Sequence, residues 1–567
     1  MINNLKKVKF LISKGQTKSL IILAFLLSIG MILEIFCLAI LIPTISFVLD
    51  PNYINELEVV KSYLLSIGII ERNSIVFVVL ATTVILYIVK TVFLVGLTHK
   101  HNFFLSNISA DLSNRLFSKY LHQPYAYHLE TNSSDLLKNL QIDITHVNGF
   151  LNTLLSIVIE GGLLISVIAT LIYVEPIGAI FVGLFLFFTG IIFYQLLKNK
   201  LSIWGVKKNN LEGQLSKNIM EGLTGIKDFK IMRKEEWVEN IFSKNNFLKA
   251  KVVSNHLTVT SLPRYFLELI SIIGLTVFIM LMLIQNKQSE LIITTLTVFV
   301  AAIFRMIPSI NKIMTSFQFF KYYEASLDLI YKQFKTLMDK PCYEEAGMNK
   351  IYFKKELKID NLYFRYSPNK KEVIKNLSIK ILKGQIIGFV GESGSGKSSL
   401  IDLIIGLHKP TSGTIKVDGM DINENLYGWQ RIIGYVSQNI FLTDDSILNN
   451  IALGIDPDKI DLKAIDKAIK SSNLEKVIKN LPDGLNTRVG ERGVQFSGGQ
   501  VQRIAIARAI YHDPKILVFD EATASLDSKT EKGVMESIYS LGGEKTILII
   551  AHKRDILRGC DRIIEIK

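Results

Sequence analysis

Residues 391–399 read Gly-Glu-Ser-Gly-Ser-Gly-Lys-Ser-Ser, placing Gly391, Gly396, Lys397 and Ser398 at the spacing G-x-x-x-x-G-K-[ST]. Such a loop curls its backbone around a phosphate so that the N–H groups point inward, and side chains at the glycines would block the approach. The lysine then meets the β- and γ-phosphates as a point charge, and the hydroxyl of Ser398 is placed to hold Mg²⁺. The flanks agree. IIGFV, residues 386–390, is a short β-branched and aromatic run, and SLIDLIIGL after the loop is apolar at helical spacing. A phosphate loop between strand and helix is therefore expected, with Glu392, Ser393, Gly394, Ser395 and Ser399 as the remaining lining residues.

Composition bounds what surrounds it. A chain of 567 residues suggests more than one domain, and 49% hydrophobic residues with a mean hydropathy of +0.32 is too apolar for a soluble protein. Part of the chain is expected in lipid. The net charge of +14 could suggest nucleic acid, but lysine excess beside hydrophobic spans marks cytoplasmic loops and an anionic inner leaflet more simply. Cys37, Cys342 and Cys560 lie far apart and form neither metal nor disulfide spacing. The first apolar run is too long for a cleavable signal peptide and lacks a small-residue cleavage site.

Lys6, Lys7, Lys9, Lys14 and Lys18 precede an apolar run from Ser19 to Val48 without any acid, which sets the N-terminus inside. Further runs near 74–97, 151–174, 176–197, 261–284 and 291–313 are each long enough for a hydrocarbon layer of about 30 Å. Six spans follow, with both ends in the cytoplasm. Residues 52–67 have the periodicity of a short amphipathic helix on the outer side, read as a packed loop helix or one touching lipid. The interval 98–150 keeps helical periodicity, breaks at Gln123-Pro124 and resumes, so helices are expected to run well past the bilayer. Pro341 and Gly347 punctuate a linker, 314–352. Beyond it, β-rich and helical runs alternate as in an α/β domain. The fold class is thus an all-α six-helix transmembrane domain, 1–313, followed by an α/β P-loop domain, 353–567.

A second group of motifs specifies the class. FSGGQ, residues 496–500, is followed by VQRIAIARAI, and then KILVFDEATASLD carries a strand-end carboxylate pair. In the order phosphate loop, glutamine loop, SGGQ, acidic strand end and late histidine, the whole chain resembles the ATP-binding cassette (ABC) proteins. Phe496 departs from the family's usual leucine. Asp520 at the strand end suits Mg²⁺, and Glu521 looks like the base that orients the attacking water. By the resemblance, Gln438 in YVSQNIFL senses Mg²⁺ and water, His552 in LIIAHK is the switch histidine near the γ-phosphate, and Tyr366 in YFRYSP stacks on adenine. Ser497, Gly498, Gly499 and Gln500 open a helix whose N-terminus attracts anions, and in this family that end faces the γ-phosphate bound by the other cassette. One cassette per chain implies a homodimer holding two ATP. GERG, 490–493, resembles the loop that precedes the signature in exporters, and segments 132–139 and 218–226 resemble the coupling helices that dock on the ATPase. The chain ends soon after His552, where family members commonly continue.

Charges within the spans are the clue to cargo, because an ionisable group in lipid normally faces a cavity or a partner. Lys90, Arg264 and Arg305 are read as lining a shared cavity for an anionic headgroup, a diphosphate matching several cations. Internal pairing with Glu34, Glu160 and Glu268 is the competing reading. PRYFLE and AAIFRMIPSIN resemble segments of bacterial lipid-linked oligosaccharide flippases of the PglK type, within the exporter fold of lipid A flippases. The resemblance implies ATP-driven flipping of a polyprenyl-pyrophosphate-linked glycan across a bacterial inner membrane, with membrane lipids and a second copy as partners and no nucleic acid. Export of a peptide, a drug or another lipid is the alternative, and a non-transport ABC ATPase acting on nucleic acid the distant one.

Overall fold

The computed structural model describes residues 2–40, 44, 72–174, 176–284, 289–339, 351–490, 493–521, 528–551 and 554–566. It divides into two compact units, one of 1–123 with 130–342 and one of 124–129 with 343–567.

The described residues of the first unit are helical: α1 (Ile2–Leu11), α2 (Lys14–Ala39), α3 (Arg72–Leu121), α5 (Ser133–Lys138), α6 (Ile144–Val174), α7 (Pro176–Thr224), α8 (Ile226–Met232), α9 (Glu235–Ile284) and α10 (Ser289–Asp339), while α4 (Tyr125–Glu130), between α3 and α5, falls all but its last residue in the second unit. The predicted spans from 74 onward fall on these helices, and the first lies on α2 as far as Ala39, with most of its remainder to Val48 outside the described residues. Among the described residues Lys14–Cys37, Val76–Leu121 and Ser133–Ala169 are long and apolar enough to cross a membrane. Many of their large apolar side chains, such as Phe25, Ile85 and Val92, are exposed outward, the inverse of a soluble bundle and the arrangement lipid requires. Four helices extend far beyond a bilayer: α3, α7, α9 and α10 are 49 to 51 residues each, about 75 Å at 1.5 Å per residue. Helix α10 runs through the first part of the segment read as a linker, and the predicted amphipathic helix at 52–67 lies outside the described residues.

The break at Gln123-Pro124 is real and more consequential than its sequence suggests. Residues 124–129 group with the second unit, whereas α5, the segment expected to couple, stays with the first. There the α5 end is tied down by buried polar contacts: Lys138 pairs with Asp143 at 3.0 Å, and Asn209 on α7 donates to Asp143 at 2.7 Å. One π turn, Asn139–Asp143, sits at this junction. The second expected coupling segment is divided between the end of α7 and the short helix α8.

The second unit is built on two sheets. A four-stranded antiparallel sheet orders β2-β1-β4-β5, from β1 (Glu356–Phe364), β2 (Ile374–Leu382), β4 (Ser412–Val417) and β5 (Met420–Asp421). A five-stranded sheet orders β6-β7-β8-β3-β9, from β3 (Ile386–Val390), β6 (Ile433–Val436), β7 (Ile516–Asp520), β8 (Thr546–Ile550) and β9 (Arg562–Glu565), and every pairing in it is parallel. Strands β3, β7 and β8 are buried at every position, which explains why they read as unbroken apolar runs without alternation. Helices α11 (Lys397–Ile404), α12 (Leu426–Gln430), α13 (Ile447–Ile451), α14 (Leu462–Ser471), α15 (Glu475–Lys479), α16 (Gly498–Tyr511) and α17 (Ser528–Tyr539) complete the unit. Trp429, fully buried, locks α12 onto α11 by donating to the Ile404 carbonyl at 2.7 Å.

Candidate nucleotide site

The phosphate loop leaves the carboxyl end of β3, where a parallel sheet opens its crevice, and leads into α11. Two of its glycines are required by the backbone: φ is +84° at Gly394 and +93° at Gly396. Gly391 is required by space, because a Cβ there would stand 2.3 Å from the Ile566 carbonyl oxygen. Lys397, 5% exposed, folds back over the loop and donates to the carbonyls of Gly391 at 2.8 Å and Glu392 at 2.7 Å. The buried Ser395 hydroxyl has no hydrogen-bond partner among the described residues. A concave loop with a buried cation and an unmatched donor fits a polyphosphate.

The acidic strand end falls beside it. Asp520 closes β7 with 5% exposure, and Tyr435 on the adjacent β6 hydrogen-bonds to its carboxylate. Glu521 follows with φ of +51°, a left-handed conformation uncommon for a residue with a side chain. Its N–H donates to the Ile550 carbonyl at 3.2 Å, so the turn is pinned across the sheet to β8. Gln438 donates through Nε2 to Glu521 Oε2 at 2.7 Å. Two residues 83 apart in sequence thus meet at the carboxylate expected to face water.

Asp402, on α11, is a further carboxylate that feels the Asp520 charge. Burial first, and the Asp520 charge second, raise its carboxyl to about 6. A carboxylate in the otherwise apolar SLIDLIIGL was the available signal.

Tyr366 stands at the edge, 43% exposed, with its phenol oxygen 2.7 Å from Ser399 Oγ on α11. The signature end is a capped helix terminus. Ser497 accepts from the Gln500 N–H and the Gln500 side chain accepts from the Ser497 N–H, a reciprocal box. That box leaves the N–H groups of Gly498 and Gly499 without carbonyls one turn back, hence available to an anion. Ser398 is exposed on the first turn of α11. His552, and Glu491 and Arg492 of the predicted exporter loop, lie outside the described residues.

Two of the cations expected to meet cargo lie beside carboxylates. Lys90 Nζ is 2.9 Å from Glu34 Oε2, the pair buried between α2 and α3. Arg264 pairs with Glu268 one turn along α9 at 3.0 Å and is largely exposed, and Lys312 pairs with Glu160 at 2.8 Å. For these residues internal pairing is the arrangement the structure adopts. The Arg305 side chain lies outside the described residues.

A long-helix membrane unit joined to a P-loop domain with a Gln–Glu corner and a capped anion-binding helix defines an ATP-driven membrane transporter. The chain belongs to the ABC transporter family: residues 19–309 match its transmembrane region and residues 374–524 its ATP-binding region. Among its relatives, the ATP-dependent lipid A-core flippase of Cupriavidus pinatubonensis is 28% identical over 456 residues, covering 79% of this chain and 76% of that one. The flippase of the same name from Vibrio cholerae is 27% identical over 473 residues, covering 81% and 78%. A solved bacterial Atm1-family ABC exporter with ATP bound shares the fold at a TM-score of 0.75, covering 95% of this chain and 93% of its own, at 21% identity. The protein is an ABC transporter with an ATP-binding domain, and it has the fold of that exporter.

Proposed function

We propose that two copies of this chain form a flippase of the bacterial inner membrane, with the ATP-binding domain 353–567 and both termini in the cytoplasm and domain 1–313 in the bilayer. The cargo is an anionic lipid-linked glycan, a polyprenyl-pyrophosphate-linked oligosaccharide by the resemblance of 263–268 and 301–311. The observation that carries the lipid reading is similarity along 79% of the chain to a protein named an ATP-dependent lipid A-core flippase.

In this reading Gly391–Gly396 and Lys397 hold the β- and γ-phosphates, Tyr366 stacks on adenine, and Ser398, Asp520 and Gln438 hold Mg²⁺. The ion, when bound, neutralises charge on the transferring phosphoryl oxygens. Glu521 orients the attacking water, positioned by the Gln438 amide and by the pinned left-handed turn. The partner subunit's Ser497, Gly498, Gly499 and Gln500 close over the γ-phosphate, and His552 completes the site. Hydrolysis then separates the copies and returns the membrane helices.

A leaflet-sidedness assay in proteoliposomes tests this. A fluorescent polyprenyl-diphosphate sugar should change leaflet with ATP, and not when Glu521→Gln replaces the wild type. Lipid A in a parallel arm is the second reading, favoured by the names of the relatives. ATP-dependent movement of neither lipid would overturn the lipid assignment.

A further inference from the structure

Against Tyr366 lies a cluster that neither the phosphate loop nor the acidic corner uses. His408 follows α11 and is 7% exposed. Its Nε2 is buried without a hydrogen-bond partner among the described residues. A buried unpaired nitrogen is costly, and an aliphatic side chain would fill the space without it. What the imidazole adds is a flat ring with a polar edge. It meets Tyr366 at a centroid separation of 5.4 Å and an interplanar angle of 89°, and Phe364 at 5.4 Å and 37°. Phe364 and Tyr366 themselves meet edge to face at 4.9 Å and 71°. The two contacts of Tyr366 are edge to face, a favoured geometry for aromatic pairs. With the phenol bonded to Ser399, the Tyr366 ring is fixed at three points.

The fourth ring is Tyr125, from the short segment 124–129 that groups with this unit, 5.7 Å from His408. That segment separates α3 from α5, so it belongs by sequence to the membrane region.

We infer that His408 is a positioning residue for the Tyr366 platform, and that through it the purine base of the nucleotide is felt by Tyr125. This rests on the reading of Tyr366 as the adenine-stacking residue. Base recognition then reaches the membrane region by a path separate from the γ-phosphate path at Gln438 and Glu521. It applies to the base alone: a ligand with phosphates and no ring makes no use of it.

The test compares ATP with inorganic tripolyphosphate, binding measured on the full chain in nanodiscs with Glu521→Gln present to stop turnover. Tyr366→Ala should weaken ATP and leave tripolyphosphate unchanged; equal loss or no loss would remove the platform reading itself. Given that result, His408→Leu should weaken ATP by roughly 2- to 10-fold with tripolyphosphate unchanged, and His408→Phe, which restores a ring edge, should recover ATP binding. Loss of both ligands together, no loss, or failure of the Phe variant to recover would overturn the role of His408. Tyr125→Ala should reproduce the ATP-selective loss, and unchanged ATP binding there would overturn the link to the membrane region.

Discussion

Gln438 Nε2 donates to Glu521 Oε2 at 2.7 Å, joining the strand-end carboxylate of β7 to the loop after β6. The bond holds a side chain whose backbone sits at φ +51° and is anchored to Ile550, so the carboxylate is fixed from both its backbone and its side chain. Positioning is most of what phosphoryl transfer asks of a protein, and the corner supplies it from three strands.

Replacement of Glu521 by Gln keeps the shape and the turn but removes the base. Steady-state ATP turnover should fall by roughly 10²- to 10⁴-fold, with ATP affinity retained. Turnover within a few-fold of wild type would relocate the base.

Composite sites predict complementation. A Lys397→Ala chain and a Ser497→Arg chain should each be inactive alone, because each damages both sites of a homodimer. Mixed, they form a heterodimer in which one site keeps an intact phosphate loop and an intact signature, so ATPase activity should reappear. A mixture as inactive as its components would argue against a site shared between copies.

Lys90 and Glu34 distinguish pairing from cargo binding. Lys90→Met strands a fully buried Glu34, and loss of one partner of a buried pair costs about 3–5 kcal/mol. The thermal midpoint should drop, and the double variant Lys90→Met/Glu34→Gln should recover it. Recovery of transport along with stability would assign Lys90 to the α2–α3 contact alone; stability without transport would return it to the cargo path.

Asp402 carries a pH signature. Its carboxyl, raised from 3.8 to about 6 by burial and by Asp520, binds a proton in the folded chain that the unfolded chain has already released. The ionised form is disfavoured on folding, so stability from this group falls as pH rises from about 4 to about 6 and stays low above. Asp402→Asn should therefore stabilise the ATP-binding unit at pH 8, measured by chemical denaturation, with the gap to wild type closing by pH 4. An equal gap at both pH values would exclude the linkage.

Gly391 reports on the loop itself. A Cβ added there meets the Ile566 carbonyl, which belongs to the backbone beside β9 and cannot rotate away. Gly391→Ala should lower both thermal stability and ATP affinity, whereas Gly533→Ala, whose Cβ would make only an ordinary 3.7 Å contact with Asn473, should lower neither. Equal effects would show that the loop tolerates the added carbon.

What the sequence determined is what local chemistry enforces. The glycine spacing at 391–396 can serve little but a phosphate, unbroken apolar runs at 386–390 and 516–519 read as buried parallel strands, and long lysine-flanked apolar runs need lipid. Each constraint acts on contiguous residues, so it is visible in order along the chain. What only the tertiary structure decided are pairings between distant residues. Whether Lys90 faces a cavity or Glu34, whether 124–129 or 132–139 leaves the helical unit, and that His408 comes to lie under Tyr366 depend on which helix faces turn toward each other. A lysine has the same local cost in lipid whichever partner it finds, and a histidine after a helix has no periodic signature. Their roles are set by packing between elements far apart in sequence, and that packing is a property of the folded chain.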